Sequence, residues 1–206
     1  MDRVPLCAMS RVKYSCAALP LANFCARYRD AERFIGFCRE CERWNRCWCC
    51  PPLTVNADEY LLPYRYATVA AAQIFFDERE RMLADSPEAV RQVAWTALKR
   101  VKARLFDALL VCEERLPGSM QLGSGGCHLC ARCARADGKP CRQPQKLRYS
   151  LDSFGFDLTK ISEEMLNIRL LWSDGTHLPE YYTLVHALLS AQPALDTVRQ
   201  IIAGQP

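Results

Sequence analysis

Tyr66-Ala-Thr-Val-Ala-Ala-Ala-Gln-Ile-Phe-Phe76 is apolar along nearly its whole length, with β-formers at both ends. A buried strand is the expectation, although period alone does not separate it from a buried helix. Ser86-Pro87 then supplies an N-cap with proline at the first helical position. Val90, Val93, Ala94, Ala97, Leu98, Val101, Leu105, Ala108, Leu109 and Cys112 follow at helical spacing. Arg91, Lys99, Arg100, Lys102 and Arg104 lie mostly off that stripe, and Pro117-Gly118 ends the helix.

Downstream, a short strand is expected at 120–122, leading into Gly123-Ser124-Gly125-Gly126. Ser150 or Asp152 opens a helical turn that Gly155 ends. A helix is expected at 159–166, strands at 168–172 and 181–189 around an Asp174-Gly175 turn, and a helix at 194–202. Upstream, Asp30 caps a short helix at 31–39 with Phe34, Phe37 and Cys38 on one face. Residues 1–30 show no clear period, and the sequence leaves them either wrapping the domain or partly disordered. The expected architecture is α+β: one domain over residues 1–206, with an N-terminal segment 1–30 and a C-terminal tail 193–206. It has a mainly antiparallel sheet, helices packed on one face, and two cysteine-rich metal-binding loops.

Half the 206 residues are hydrophobic and 24% are charged, the balance of a globular protein. No run of eighteen apolar residues is present, and Met1-Asp2-Arg3-Val4-Pro5 lacks the layout of a secretory signal. The reducing cytoplasm is the expected compartment, with no membrane association. A net charge of +4, with cations scattered among acids, offers no basic stripe for nucleic acid.

The thirteen cysteines are clumped. Cys38, Cys41, Cys47, Cys49 and Cys50 form one group, and Cys127, Cys130, Cys133 and Cys141 another. Such close neighbours make poor disulfides, because bridge geometry needs specific separations. In a reducing compartment, metal ligation explains them better. Cys127-x2-Cys130-x2-Cys133 lets one tight loop wrap a cubane, and Pro140-Cys141 supplies a fourth thiol, as in the bacterial ferredoxin run. Zinc more often uses two separated Cys-x2-Cys knuckles. In the first group Cys38, Cys41 and Cys50 are the expected ligands, with Cys47, Cys25 or an open position as the fourth. Cys49 and Cys50, being adjacent, are not expected to reach one metal together. A joint zinc site of Cys38, Cys41, Cys127 and Cys130 is a further arrangement.

Cys38, Cys41, Trp44, Asn45, Trp48, Cys50, Pro51 and Pro52 follow a C-x2-C-x2-Y-G-x2-W-x-C-P-P pattern, with Trp for Tyr and Asn for Gly. Gly125, Cys127, Cys130, Cys133, Gly138, Pro140, Cys141, Arg142, Pro144, Arg148, Ser150, Gly155 and Asp157 follow a second. Over roughly residues 35–190 the chain thereby resembles a bacterial and archaeal family of predicted metal-binding proteins. The resemblance implies metal binding, with iron–sulfur ligation the usual expectation, and brings no established reaction. Cys47 and Cys49 fall outside the family pattern.

Other groups carry less. His128 lies between two cysteines and is read as solvent-facing or supporting; His177 and His186 are read as structural. Asp137, Asp152 and Asp157 are read as loop carboxylates, and Arg142, Lys146 and Arg148 as a solvated basic cluster. Three functional classes follow. The first is an electron-transfer or redox accessory protein with one or two [4Fe–4S] clusters and a redox partner protein. The second is a zinc-stabilised interaction module. The third is a thiol-redox enzyme working through Cys38 and Cys41.

Overall fold

A computed structural model describes residues 11–204. Its centre is a four-stranded antiparallel sheet in the order β1-β2-β4-β3, where β1 is Arg11–Pro20, β2 Tyr66–Phe75, β3 Met120–Leu122 and β4 Tyr181–Ser190. The apolar run at 66–76 is therefore a strand. It lies between β1 and β4, with Ala70 opposite Cys16 on one side and His186 on the other. Both of its faces are buried, which is why its hydrophobicity is continuous rather than alternating.

Even-numbered residues of β2 (Ala70, Ala72, Ile74) join Leu184 and Leu188 of β4 in one core. Two helices cover that face, α5 (Pro87–Arg115) and α7 (Leu195–Ala203). α5 starts as its sequence directs: the Ser86 hydroxyl accepts from Ala89 N–H at 3.2 Å, and Pro87 occupies the first turn. Odd-numbered residues (Ala67, Val69, Ala71) join Val185, Ala187 and Leu189 in a second core on the opposite face. That core takes in α1 (Leu21–Tyr28) through Leu21, Phe24 and Tyr28, and α6 (Leu158–Leu166) through Ile161. The α+β class and the antiparallel sheet are as the sequence directs. The covering of the second face goes beyond that expectation.

Residues 11–28 depart from it most. They form β1 and α1 where no element was expected. β1 is an edge strand, so Val12, Tyr14 and Cys16 only half-bury against the core while Arg11 and Lys13 face water. Its second half, Cys16-Ala-Ala-Leu-Pro20, has no polar residue and so does not alternate. The expected strand at 168–172 is absent. Asn167, in the left-handed conformation, ends α6 and sends the chain into an irregular segment, where Asp174 accepts from the amides of Thr176 and His177 at 2.7 and 2.8 Å.

α2 (Ala31–Glu40) begins at Asp30, whose carboxylate accepts from Arg33 N–H at 3.0 Å. It buries none of its residues; Phe34 and Phe37 pack edge-on against each other beside the Arg33 guanidinium. Two further short helices, α3 (Ala57–Leu61) and α4 (Glu78–Leu83), escaped the sequence reading. α4 is held by a capping box in which Asp77 and Glu80 satisfy each other's backbone amides. Cys7 and the last two residues lie outside the described part of the chain.

Candidate metal centre

The two cysteine loops pack against each other. The first leaves α2 through a chain of turns: Cys41 N–H donates to Cys38 O, Trp44 N–H to Cys41 O, and Cys50 N–H to Cys47 O. Asn45 sits at φ 54°, where the resembling family has glycine, and its amide donates to Pro51 O at 2.8 Å. The second loop leaves β3 through Gly123–Gly126. Gly123 bridges Ser150, and Gly125 N–H donates to the Asp152 carboxylate at 3.1 Å. Gly126 leaves room for the Arg43 side chain; a Cβ there would meet Arg43 Cδ at 2.8 Å.

The turn at 47–50 folds three sulfurs together. Cys47 Sγ lies 3.4 Å from Cys49 Sγ, which lies 3.7 Å from Cys50 Sγ, and all three are buried. Among the described residues these are the one group of three metal-ligating side chains whose donor atoms all lie within 4.8 Å of one another. Cys49 and Cys50 are thus close enough to share an ion, against the expectation from their adjacency. Cys127 N–H donates to Cys49 Sγ at 2.9 Å. Donation from Cys49 and Cys50 draws the Cys47 thiol well below its ordinary range, while its sulfur partner pushes Cys50 up to about 12.

Cys127, Cys130, Cys133 and Cys141 line a separate recess of about 360 Å³, part of it open to solvent, together with Trp48, Leu129, Ala134, Arg142, Gln143 and Leu147. No carboxylate lines it. The four thiols face one space yet are not drawn into a mononuclear grouping. No three of their sulfurs lie within 4.8 Å of one another. The loop is fixed by local bonds: Gln143 Nε2 donates to Leu129 O at 3.1 Å, Arg142 to Arg132 O at 2.9 Å, and Gln143 N–H to Cys141 Sγ at 3.4 Å. Trp48 closes one side, its indole N–H on Lys139 O at 3.1 Å and its ring beneath the Arg135 guanidinium at 4.8 Å.

Cys38, Cys41 and Cys25 belong to neither group. Burial, then the charges of Asp152 and Cys41, push Cys38 up to about 11, the reverse of what a thiol nucleophile needs. Cys41 is exposed. Cys25 packs against the second core, where burial raises its pKa beside Arg29.

Two cations without a salt bridge among the described residues reach the cysteine loops. Lys102 reaches from α5 and donates to Ser124 O and, at 2.5 Å, to Gly126 O; burial lowers its pKa, and the nearby Cys49, Asp152 and Cys127 oppose that. Arg135 donates to Cys47 O at 3.2 Å, Cys50 O at 2.9 Å and Pro52 O at 2.6 Å. Neither forms a salt bridge among the described residues. Lys102 thus lies beside Cys49, Cys127 and Asp152, while Arg135 is half-buried on the backbone of the 47–52 turn.

The lesser expectations divide. Arg148 is not solvated: it pairs with Glu113 at 2.5 Å with both side chains largely buried. Arg142 and Lys146 are exposed, and Asp137 pairs with Arg132 at 2.6 Å. Asp157 caps α6 through Lys160 N–H at 3.0 Å, and Asp152 holds the glycine loop. His128 is half-buried and meets the edge of Phe106 at 4.9 Å. His177 bonds Thr176 Oγ1 at 2.9 Å. His186 is fully buried with neither ring nitrogen partnered, and burial drives its pKa down to about 3. Its place behind Gly123 was invisible in the sequence, because strand pairing sets it.

The sheet and the gathered thiols define a cysteine-rich α+β metal-binding protein. The chain belongs to the family described as predicted metal-binding protein (DUF2284), whose model matches residues 25–189. No curated protein and no solved structure matches it. No helix among the described residues is long and apolar enough to cross a membrane.

Proposed function

We propose that the protein is an iron–sulfur protein of the cytoplasm, carrying a [4Fe–4S] cluster on Cys127, Cys130, Cys133 and Cys141 and passing electrons to or from a redox partner protein. The observation that carries this reading is the single recess lined by all four thiols and by no carboxylate. When bound, such a cluster supplies one-electron transfer. The chain's own contribution is electrostatic and steric. Lys102 and Arg135 offset negative charge, the Gln143 amide donates to sulfur, and Trp48, Leu129 and Leu147 restrict water.

Anaerobic purification tests it. Brown protein with iron and acid-labile sulfide near four each per chain is expected, falling together in Cys130→Ser and Cys141→Ser variants. Colourless protein whose recess thiols hold stoichiometric zinc would replace the redox reading with a zinc-stabilised interaction module, in which the ion contributes folding free energy.

A further inference from the structure

The three sulfurs of Cys47, Cys49 and Cys50 stand outside the recess lining, although Cys127 and Cys133 pack against them. Their separations of 3.4 and 3.7 Å are close to the edge of a tetrahedron of thiolates around one ion, about 3.8 Å for a metal–sulfur bond of about 2.3 Å. A cubane needs its ligands on different irons, so this triad is too tight to be three of its corners. We infer that Cys47, Cys49 and Cys50 form a second, mononuclear centre that takes a thiophilic closed-shell d10 ion, Zn²⁺ or Cu⁺. Soft thiolates select such ions, and a d10 ion has no geometric preference of its own to violate.

The surroundings agree with three thiolates on one ion. The Cys127 amide donates to Cys49 Sγ, and the Arg135 guanidinium clamps the carbonyls of Cys47 and Cys50, which holds the turn in its ligating shape. Lys102 brings a largely buried positive charge to the side of Cys49. Among the described residues no fourth histidine, cysteine or carboxylate joins the group, so Cu⁺ is held trigonally by the protein alone and Zn²⁺ adds a solvent ligand. Binding replaces any remaining thiol protons with the ion, releases them to solvent and changes no oxidation state. The assignment stands whether or not the recess carries iron.

The test is metal analysis of the full chain, purified anaerobically and supplied with Zn²⁺ or with Cu⁺ as its acetonitrile complex, alongside Cys47→Ser/Cys49→Ser and Cys130→Ser/Cys141→Ser variants. The parent is expected to hold one d10 ion per chain, with sulfur scatterers at about 2.3 Å for zinc in X-ray absorption. Cys47→Ser/Cys49→Ser should lose that ion and keep the iron of the parent; Cys130→Ser/Cys141→Ser should do the reverse. Should the serine variant not fold, Co²⁺ added to the iron-loaded parent gives the same answer, through one equivalent of thiolate-to-cobalt charge-transfer absorption displaced by Zn²⁺. The inference is overturned if the parent binds no d10 ion, if the ion survives loss of Cys47 and Cys49, or if those substitutions remove iron instead. A mass 2 Da light with Cys47 linked to Cys49 or Cys50 overturns it as well. Absence of iron from a parent that still loses its d10 ion with Cys47 and Cys49 would refute only the iron–sulfur reading.

Discussion

Lys102 shows how one side chain can sit on the polar side of a helical stripe and yet avoid water. Its ammonium is held by two carbonyls of the glycine loop and faces the sulfurs of Cys49 and Cys127. A nearby cation stabilises an added electron. Lys102→Met, which keeps the stem but removes the charge, should therefore shift the midpoint potential of the loaded protein negative by on the order of tens of millivolts, read by redox titration. His186 gives a different test. Its native pKa of about 3 lies below the ordinary value near 6.5, so the unfolded chain binds the proton first on acidification. The stability of the neutral, buried ring is fully present above pH 6.5 and is lost as pH falls towards 3, at about 1.4 kcal/mol per pH unit. His186→Leu should flatten that slope in denaturant unfolding measured from pH 7 to 4, relative to the parent at each pH.

Elements differ in how openly the sequence announces them. α5 is plain because three signals coincide: the Ser86 cap, Pro87 in the first turn, and a stripe of ten apolar residues facing β2 and β4. β1 is hidden because an edge strand buries only part of each side chain, so its period is faint. The segment at 168–172 deceived for the opposite reason. Ile168 and Leu170 are apolar and pack onto the second core, but as irregular chain after a left-handed helix end. Where two elements meet closely, one position decides. Gly155 ends the turn at 152–154 at φ 85°, and a Cβ there would stand 2.5 Å from Ala31 Cα at the start of α2. Backbone cannot retreat as a flexible side chain can. Gly155→Ala should lower the unfolding free energy by about 2 kcal/mol or more, measured by chemical denaturation.

At the scale of the whole molecule, the two cysteine loops share one wall. The recess draws its thiols from residues 127–141, while its Trp48 wall comes from the other loop, some eighty residues earlier. Chelation or oxidative loss of metal should therefore lower the midpoint of thermal unfolding and raise amide exchange first in both loops, leaving β2 and β4 protected. The recess was the legible part of the site. Cys-x2-Cys-x2-Cys followed by Pro-Cys names its four thiols from spacing alone, and the structure brings those four to one space. The triad was not legible. Cys47 and Cys49 look like surplus beside a family pattern, and only the turn closed by Cys50 N–H on Cys47 O reveals that they converge.

The strand order carries a consequence for synthesis. β4 fills the gap between β2 and β3, yet it follows both in the chain by many residues. As the polypeptide leaves the ribosome, β2 must wait with one flank bare until residue 190 has emerged. Ribosome-stalled fragments ending before residue 181 should accordingly be engaged by chaperones and digested quickly by protease, and resistance should arrive abruptly once β4 is out rather than building with length.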